Sequence, residues 1–164
     1  MMRIALIAFF FAASASAQNY PSACGPENVS FNVTLNRAHS LLLKPEPTKA
    51  MVIFIQDFGE RKVGLGVHVI ARVGVDGAWV GAIKDNSYLS VPLEQGTHHI
   101  CVKLDSKMLG APIELAHLTA EAGTVYYLRW RYLSGGNLLL TPVDSDEAKY
   151  QIAMFPLSVS TSKK

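Results

Sequence analysis

Most of the chain alternates apolar and polar positions in short runs, the period-two pattern of half-buried β-strands. The runs are VSFNVTL near the start, then AMVIFIQD, LGVHVIARVGV, AWVGAIK, YLSVPL, THHICVKL, IELAHLTAE, TVYYLRWRYL and NLLLTPV. Each meets a turn signal within about a dozen residues, and none keeps an apolar period of 3.6. The exception is SDEAKYQIAMF, where Asp144 or Ser145 is placed to cap a short helix with acids in its first turn. The pattern predicts an all-β fold, an antiparallel β-sandwich, with a short C-terminal helix. The sandwich is expected over residues 50–164. Residues 18–49 form an N-terminal segment with one strand, ended by the extended or turned backbone that Pro45 and Pro47 impose.

The strands also predict directions. In TVYYLRWRYL, Tyr126, Leu128, Trp130 and Tyr132 fall on one side and Val125, Tyr127, Arg129 and Arg131 on the other. One aromatic face in the core and one solvated face is the expected arrangement. In THHICVKL, Ile100, Val102 and Leu104 share the core side, so Cys101 points away from the main apolar face with His99 and Lys103.

The stretch GVDGAWVGAI first looks like a ligand loop but reads better as a hairpin. Asp76-Gly77 matches a type I′ turn, which needs φ > 0 at both central residues. Val73 and Val75 flank it on one side, with Ala78, Val80 and Ala82 on the other, and Gly81 permits a bulge or a close backbone approach. Trp79 is a core anchor if it points inward and the best candidate binding contact if it points outward.

The first residues, MMRIALIAFFFAASASAQ, change the picture of where the strands end up. A basic start at Arg3, an apolar run too short to span a bilayer, and small residues ending Ala15-Ser16-Ala17 match a secretory signal peptide over residues 1–17. Cys24 does not fit a lipid anchor, because Pro21 stands three positions before it and polar Gln18-Asn19 separates it from the apolar core. The mature chain is therefore expected to be soluble, without stable membrane insertion.

Cys24 and Cys101 are the only cysteines, and an even count in an oxidising compartment predicts a disulfide. It would tie the N-terminal segment across the outside or edge of the sheet. The chain-entropy estimate for so long a loop is roughly 4 to 5 kcal/mol, an upper figure. Two isolated cysteines lack the paired spacing of a structural zinc site.

Charge adds little. Without Arg3 the chain carries 14 basic and 13 acidic residues, with no clustered patch of the kind that binds nucleic acid. No nucleophile elbow, phosphate loop or dinucleotide fingerprint is present. His98 and His99 are adjacent and face opposite sides of a strand, so they do not simply ligate one metal. His39, His68 and His117 sit on separate elements, and the acids of DSDE fit a helix start better than a calcium loop. No cofactor and no metal is expected.

Taken together, VGVDGAWVGAI, YLSVPLEQGTHHICVKL and EAGTVYYLRW form a series. An inward strand reaches V-D-G, the next carries W-V-G, a glycine turn precedes H-H-I-C-V, and A-G-x-V-Y-Y opens a late strand. The series resembles uncharacterised secreted bacterial β-domains of a domain-of-unknown-function family that includes many lipoproteins. It is more distantly similar to PEGA-like surface modules, with their V-D-G-x-x-V-G … G-x-H-x-I-x-V grammar. The resemblance covers about Ala50 to Val143, and the early A-C-G-P (Ala23–Pro26) and later H-x-C (His99–Cys101) belong to it. It implies a sandwich of transthyretin-like or immunoglobulin-like type, and no activity or site residues.

Two functions follow as expectations. The first is a non-enzymatic secreted or periplasmic module, binding or structural in the cell envelope, with an envelope protein or polysaccharide as partner. The second is a secreted hydrolase built from His98 or His99 with Asp76 or Glu94, residues placed near turns where sites concentrate.

Overall fold

A computed structural model describes residues 21–38, 44–58, 68–106, 111–133 and 137–163. The expected signal peptide, His39 and the first residues of LGVHVIARVGV lie outside these. Among the described residues ten strands and one helix follow in chain order: β1 (Phe31–Asn36), β2 (Ala50–Gln56), β3 (Ile70–Val75), β4 (Ala78–Lys84), β5 (Ser87–Leu93), β6 (Gly96–Asp105), β7 (Ile113–Ala120), β8 (Val125–Tyr132), β9 (Leu138–Pro142), α1 (Ser145–Met154) and β10 (Leu157–Ser162). They build an all-β sandwich of a six-stranded sheet, order β1-β10-β5-β2-β8-β9, and a four-stranded sheet, order β4-β3-β6-β7.

Most neighbours are antiparallel, but β2 pairs with β8 in parallel, Met51 opposite Val125 through Gln56 opposite Trp130. Parallel neighbours need a long crossover. Here the chain between them runs out through β3 to β7, which include the whole second sheet. A further parallel contact joins Leu157 of β10 to Tyr88 of β5.

The central core lies between the sheets. Val52 and Phe54 of β2, Leu128 and Trp130 of β8, and Val91 of β5 meet Val73, Ile83, Ile100, Val102 and Leu104 of the other sheet. Tyr126, Leu128 and Trp130 face inward as the alternation predicts. The opposite side of β8 departs from expectation. Val125 and Tyr127 pack into a second cluster with Ile53, Ile55, Tyr88 and Ala148, covered by α1. Arg129, only 11 % exposed along its side chain, pairs with Glu147 of the helix. That face is roofed from Val125 to Arg129, while Arg131 stays 44 % exposed at its end as expected. The roof also explains why β2 is apolar at nearly every position, since only Met51 of its seven residues is not fully buried.

The helix starts where the acids indicated. Asp144 is the N-cap, its carboxylate accepting from the amides of Asp146 at 2.9 Å and Glu147 at 3.0 Å. Those bonds hold its carboxyl below the ordinary carboxylate range.

The remaining strand, β10, forms a short alternating stretch after Pro156. It pairs with β1 over six positions, so β1 is an edge strand of the sandwich. Its serines also close the seam between the sheets. Ser160 and Ser158 hydroxyls accept from the Ala82 and Lys84 amides at 3.2 and 3.1 Å. An edge whose donors are already engaged is a poor template for further pairing.

Candidate functional site

The outer face of the four-stranded sheet holds the residues that sequence reasoning marked. The β3–β4 hairpin closes at Asp76 (φ 50°) and Gly77 (φ 83°), the two left-handed positions a type I′ turn requires. Pairing then slips by one residue, with Gly74 opposite Trp79 but Val73 opposite Gly81. The extra residue is Val80, left 40 % exposed rather than aligned with Ala78 and Ala82 as the simple alternation had it. The bulge puts Trp79 on the outer face while Gly81 faces the other sheet. There a Cβ on Gly81 would stand 2.8 Å from the Ser160 hydroxyl.

Trp79 is therefore outside the sandwich core, and half-buried. It packs with Ala23, Cys24, Cys101 and Ile113 in a third cluster. Its indole N–H donates to the Pro26 carbonyl at 2.8 Å. The Arg72 guanidinium lies over its ring, 4.5 Å from the centroid. Gly25 has no room for a side chain, because a Cβ there would stand 2.4 Å from the indole. The tryptophan holds down the N-terminal segment.

The same segment is bonded to the sheet by Cys24–Cys101, a disulfide closing 77 positions of chain with its Cα atoms 5.2 Å apart. Cys101 points away from the central core, as its parity predicts, yet it is fully buried because the segment lies over it. Arg72 is the third tie. Its Nη1 donates to the carbonyls of Glu27 at 3.1 Å and Val29 at 2.5 Å. Its Nη2 donates to Asp105 Oδ1 at 3.0 Å, and its Nε lies 2.8 Å from Oδ2. Beside it an open cleft of about 320 Å³ is lined by Glu27, Ser30, Ile70, Asp105 and Lys163. Arg72 was not marked in the sequence. Its only signal was a cation on the outer parity of an apolar strand, and the acceptors that give it a role come from residues 43 to 45 positions earlier and 33 later.

A second cluster stands at the hairpin tip, and it gathers the residues of the hydrolase reading. His98 Nδ1 is 2.6 Å from Asp76 Oδ2, and Asp76 Oδ1 accepts the His99 amide at 2.8 Å. These bonds hold the Asp76 carboxyl below its ordinary range, the His98 contact first and the His99 amide second. Glu94 enters through its backbone: its carbonyl is 2.9 Å from His98 Nε2, while its carboxylate lies 3.2 Å from Lys49 Nζ. Burial works against a charge on His98, but the Asp76 and Glu94 contacts outweigh it and raise its pKa.

With an acceptor facing each nitrogen, both contacts are hydrogen bonds when the ring carries both protons, the imidazolium form. A general base needs a free ring nitrogen facing the proton it takes. Here the one turned away from the carboxylate is held by Glu94. His98 and Asp76 thus form a clamp between the β3–β4 turn and the β5–β6 connection. Both cysteines are consumed in the bridge, so neither is a free thiol.

Of the remaining histidines, His68 pairs with Asp85 at 2.7 Å at the far end of the hairpin, and His117 lies beside His99. Among the described residues no group of three or more His, Cys, Asp or Glu is arranged to hold a metal ion. No helix among them is long and apolar enough to cross a membrane. No family model, curated protein or solved structure matches the chain.

Proposed function

We propose that the protein is a non-enzymatic module of the bacterial cell envelope, exported by residues 1–17 and serving a binding or structural role. Its partner is a neighbouring envelope protein or polysaccharide. The observation that carries this reading is the Cys24–Cys101 bridge, which is compatible with an oxidising compartment outside the cytoplasm. The absence of clustered charge in the sequence and the resemblance to secreted β-domains support it.

The test is cross-linking in intact envelopes followed by recovery of the full chain. The expected result is a mature protein beginning at Gln18, roughly two protons lighter than its reduced form, joined to an envelope protein or a glycan. An unprocessed chain with two free thiols in the cytoplasm would sink the export half of the proposal. A recovered chain with no envelope neighbour would sink the other half.

The hydrolase reading has one observation in its favour, the 2.6 Å contact between His98 and Asp76. Against it stands the Glu94 carbonyl on the nitrogen that catalysis would need. Hydrolysis of a p-nitrophenyl ester above background, lost in His98→Gln, would reverse the preference.

A further inference from the structure

Strands β6 and β7 are antiparallel neighbours, and their register sets His99 directly opposite His117. His99 shares the outer parity of Cys101 and Lys103, and its register partner shares that face. Both residues are exposed. Their ring centroids stand 4.6 Å apart with the planes inclined by 71°.

Two imidazoles bound side by side to one metal ion have a defined separation. With metal–nitrogen bonds of about 2.0 to 2.1 Å, each centroid stands about 3.2 Å from the ion. Ligand angles of about 90 to 109° then separate the centroids by about 4.5 to 5.2 Å. The observed 4.6 Å falls inside that interval, near its square-planar end. The ring torsion of histidine is soft, so exposed rings at this separation can turn their nitrogens toward one ion.

The nearest carboxylate is that of Asp76, just beyond hydrogen-bond distance. His99 Nδ1 lies 3.8 Å from Asp76 Oδ1. Asp76 is itself anchored by His98 and by the His99 amide. With Asp76 on its Nδ1 side, His99 has Nε2 as the nitrogen open to an ion.

From this we infer that His99 and His117 form a two-histidine chelate for a divalent late transition ion of the Cu(II) type. Water completes the coordination. The site is independent of the envelope reading, since it needs only the β6–β7 register and an accessible outer face.

The experiment is calorimetric titration of the full, disulfide-bonded chain with Cu(II) alone. His99→Gln and His117→Gln each remove one ring from an exposed position, and His68→Gln is the control. Saturable binding of one ion per chain is expected, weakened at least about tenfold by each of the first two changes because the second ring binds intramolecularly. The control is expected to stay within about twofold of the parent. Electron paramagnetic resonance of the copper-loaded parent should show two coupled imidazole nitrogens. Absence of saturable binding, a smaller loss in either variant, or a signal from fewer than two nitrogens overturns the inference.

Discussion

Each sheet of the sandwich has part of its outer face covered, and the two covers are built differently. Helix α1 lies on the six-stranded sheet and contributes Ala148 and Ile152 to an apolar cluster. It adds the Arg129–Glu147 pair and a Gln151–Asp57 bond at 3.1 Å. The segment on the four-stranded sheet is irregular and held by a disulfide, a forked arginine and an indole N–H. The reason is backbone bookkeeping. A helix satisfies its own amides and carbonyls, so packing suffices to seat it. An irregular segment leaves those groups needing partners. Arg72 and Trp79 supply them at Pro26, Glu27 and Val29, and Gly77 donates its amide to the Ala23 carbonyl at 3.2 Å. One cover docks and the other is bolted.

The largest effect that tests this contrast is loss of the bolt. The double change Cys24→Ser with Cys101→Ser is expected to lower unfolding free energy by about 3 to 4 kcal/mol in urea, somewhat under the chain-entropy figure. A loss of less than about 1 kcal/mol would mean the segment seats itself by packing, as the helix does. Next comes Arg72→Ala, which strips the partner from Asp105 and from two carbonyls at once. A nearly buried arginine of this kind costs on the order of 3 kcal/mol when removed. Arg72→Lys should recover little of it, because a single ammonium does not reproduce the fork. Full recovery by lysine would show that charge alone holds the segment.

The two covers also differed in legibility. The bolt was legible, because cysteine count, compartment and the parity of THHICVKL together assigned Cys101 outward and bridged to Cys24. The Asp76-Gly77 turn was legible for a similar reason, since local chemistry decides it. The burial under α1 was not inferred. Its trace lay in AMVIFIQ, a run apolar at consecutive positions, which is what a strand covered on both faces shows. Arg129 read as solvated because its partner Glu147 arrives 18 positions later on a different element. Strand β10 escaped because LSVSTS is short and poor in large apolar residues, and its serines act through hydroxyls on another sheet's edge. The direction of Trp79 was undecidable locally, because the bulge at Val80 depends on tertiary pairing. The His98 clamp was half visible: the residues were right, but the acceptor from Glu94 is a carbonyl, which every residue has.

On the helix side the expected effects are smaller and insensitive to reductant. Ile152→Ala removes part of a half-buried side chain from the cluster beneath α1, at a cost of about 1 to 2 kcal/mol. Thermal unfolding of this variant with and without reductant separates the two covers. If the losses from Ile152→Ala and from reduction add, the covers act independently, as expected for distant sites. A clear departure from additivity would mean the sheets transmit strain between them.

The smallest effect is a pH dependence in the hairpin that the bolted segment leans on. His98 has a raised pKa in the folded protein, so its stabilising contribution is full below the unfolded imidazole value of about 6.5 and is lost as pH rises through the higher folded value. Asp76 has a lowered pKa, so its contribution is full above the unfolded value of about 3.9 and is lost as pH falls through the lower folded one. The pair is strongest between about pH 4 and pH 6.5, where both charges are present in either state. Asp76 is 46 % exposed, so solvent screens the interaction and its net worth stays under about 1 kcal/mol. The stability difference between the parent and His98→Gln should therefore peak near pH 5 and shrink by pH 9. Asp76→Asn, which keeps an acceptor for the His99 amide, should flatten the same profile. A difference that is constant from pH 5 to pH 9 would mean His98 holds the turn as a neutral ring, and one of its two contacts, to the Asp76 carboxylate or to the Glu94 carbonyl, would then have no proton in it.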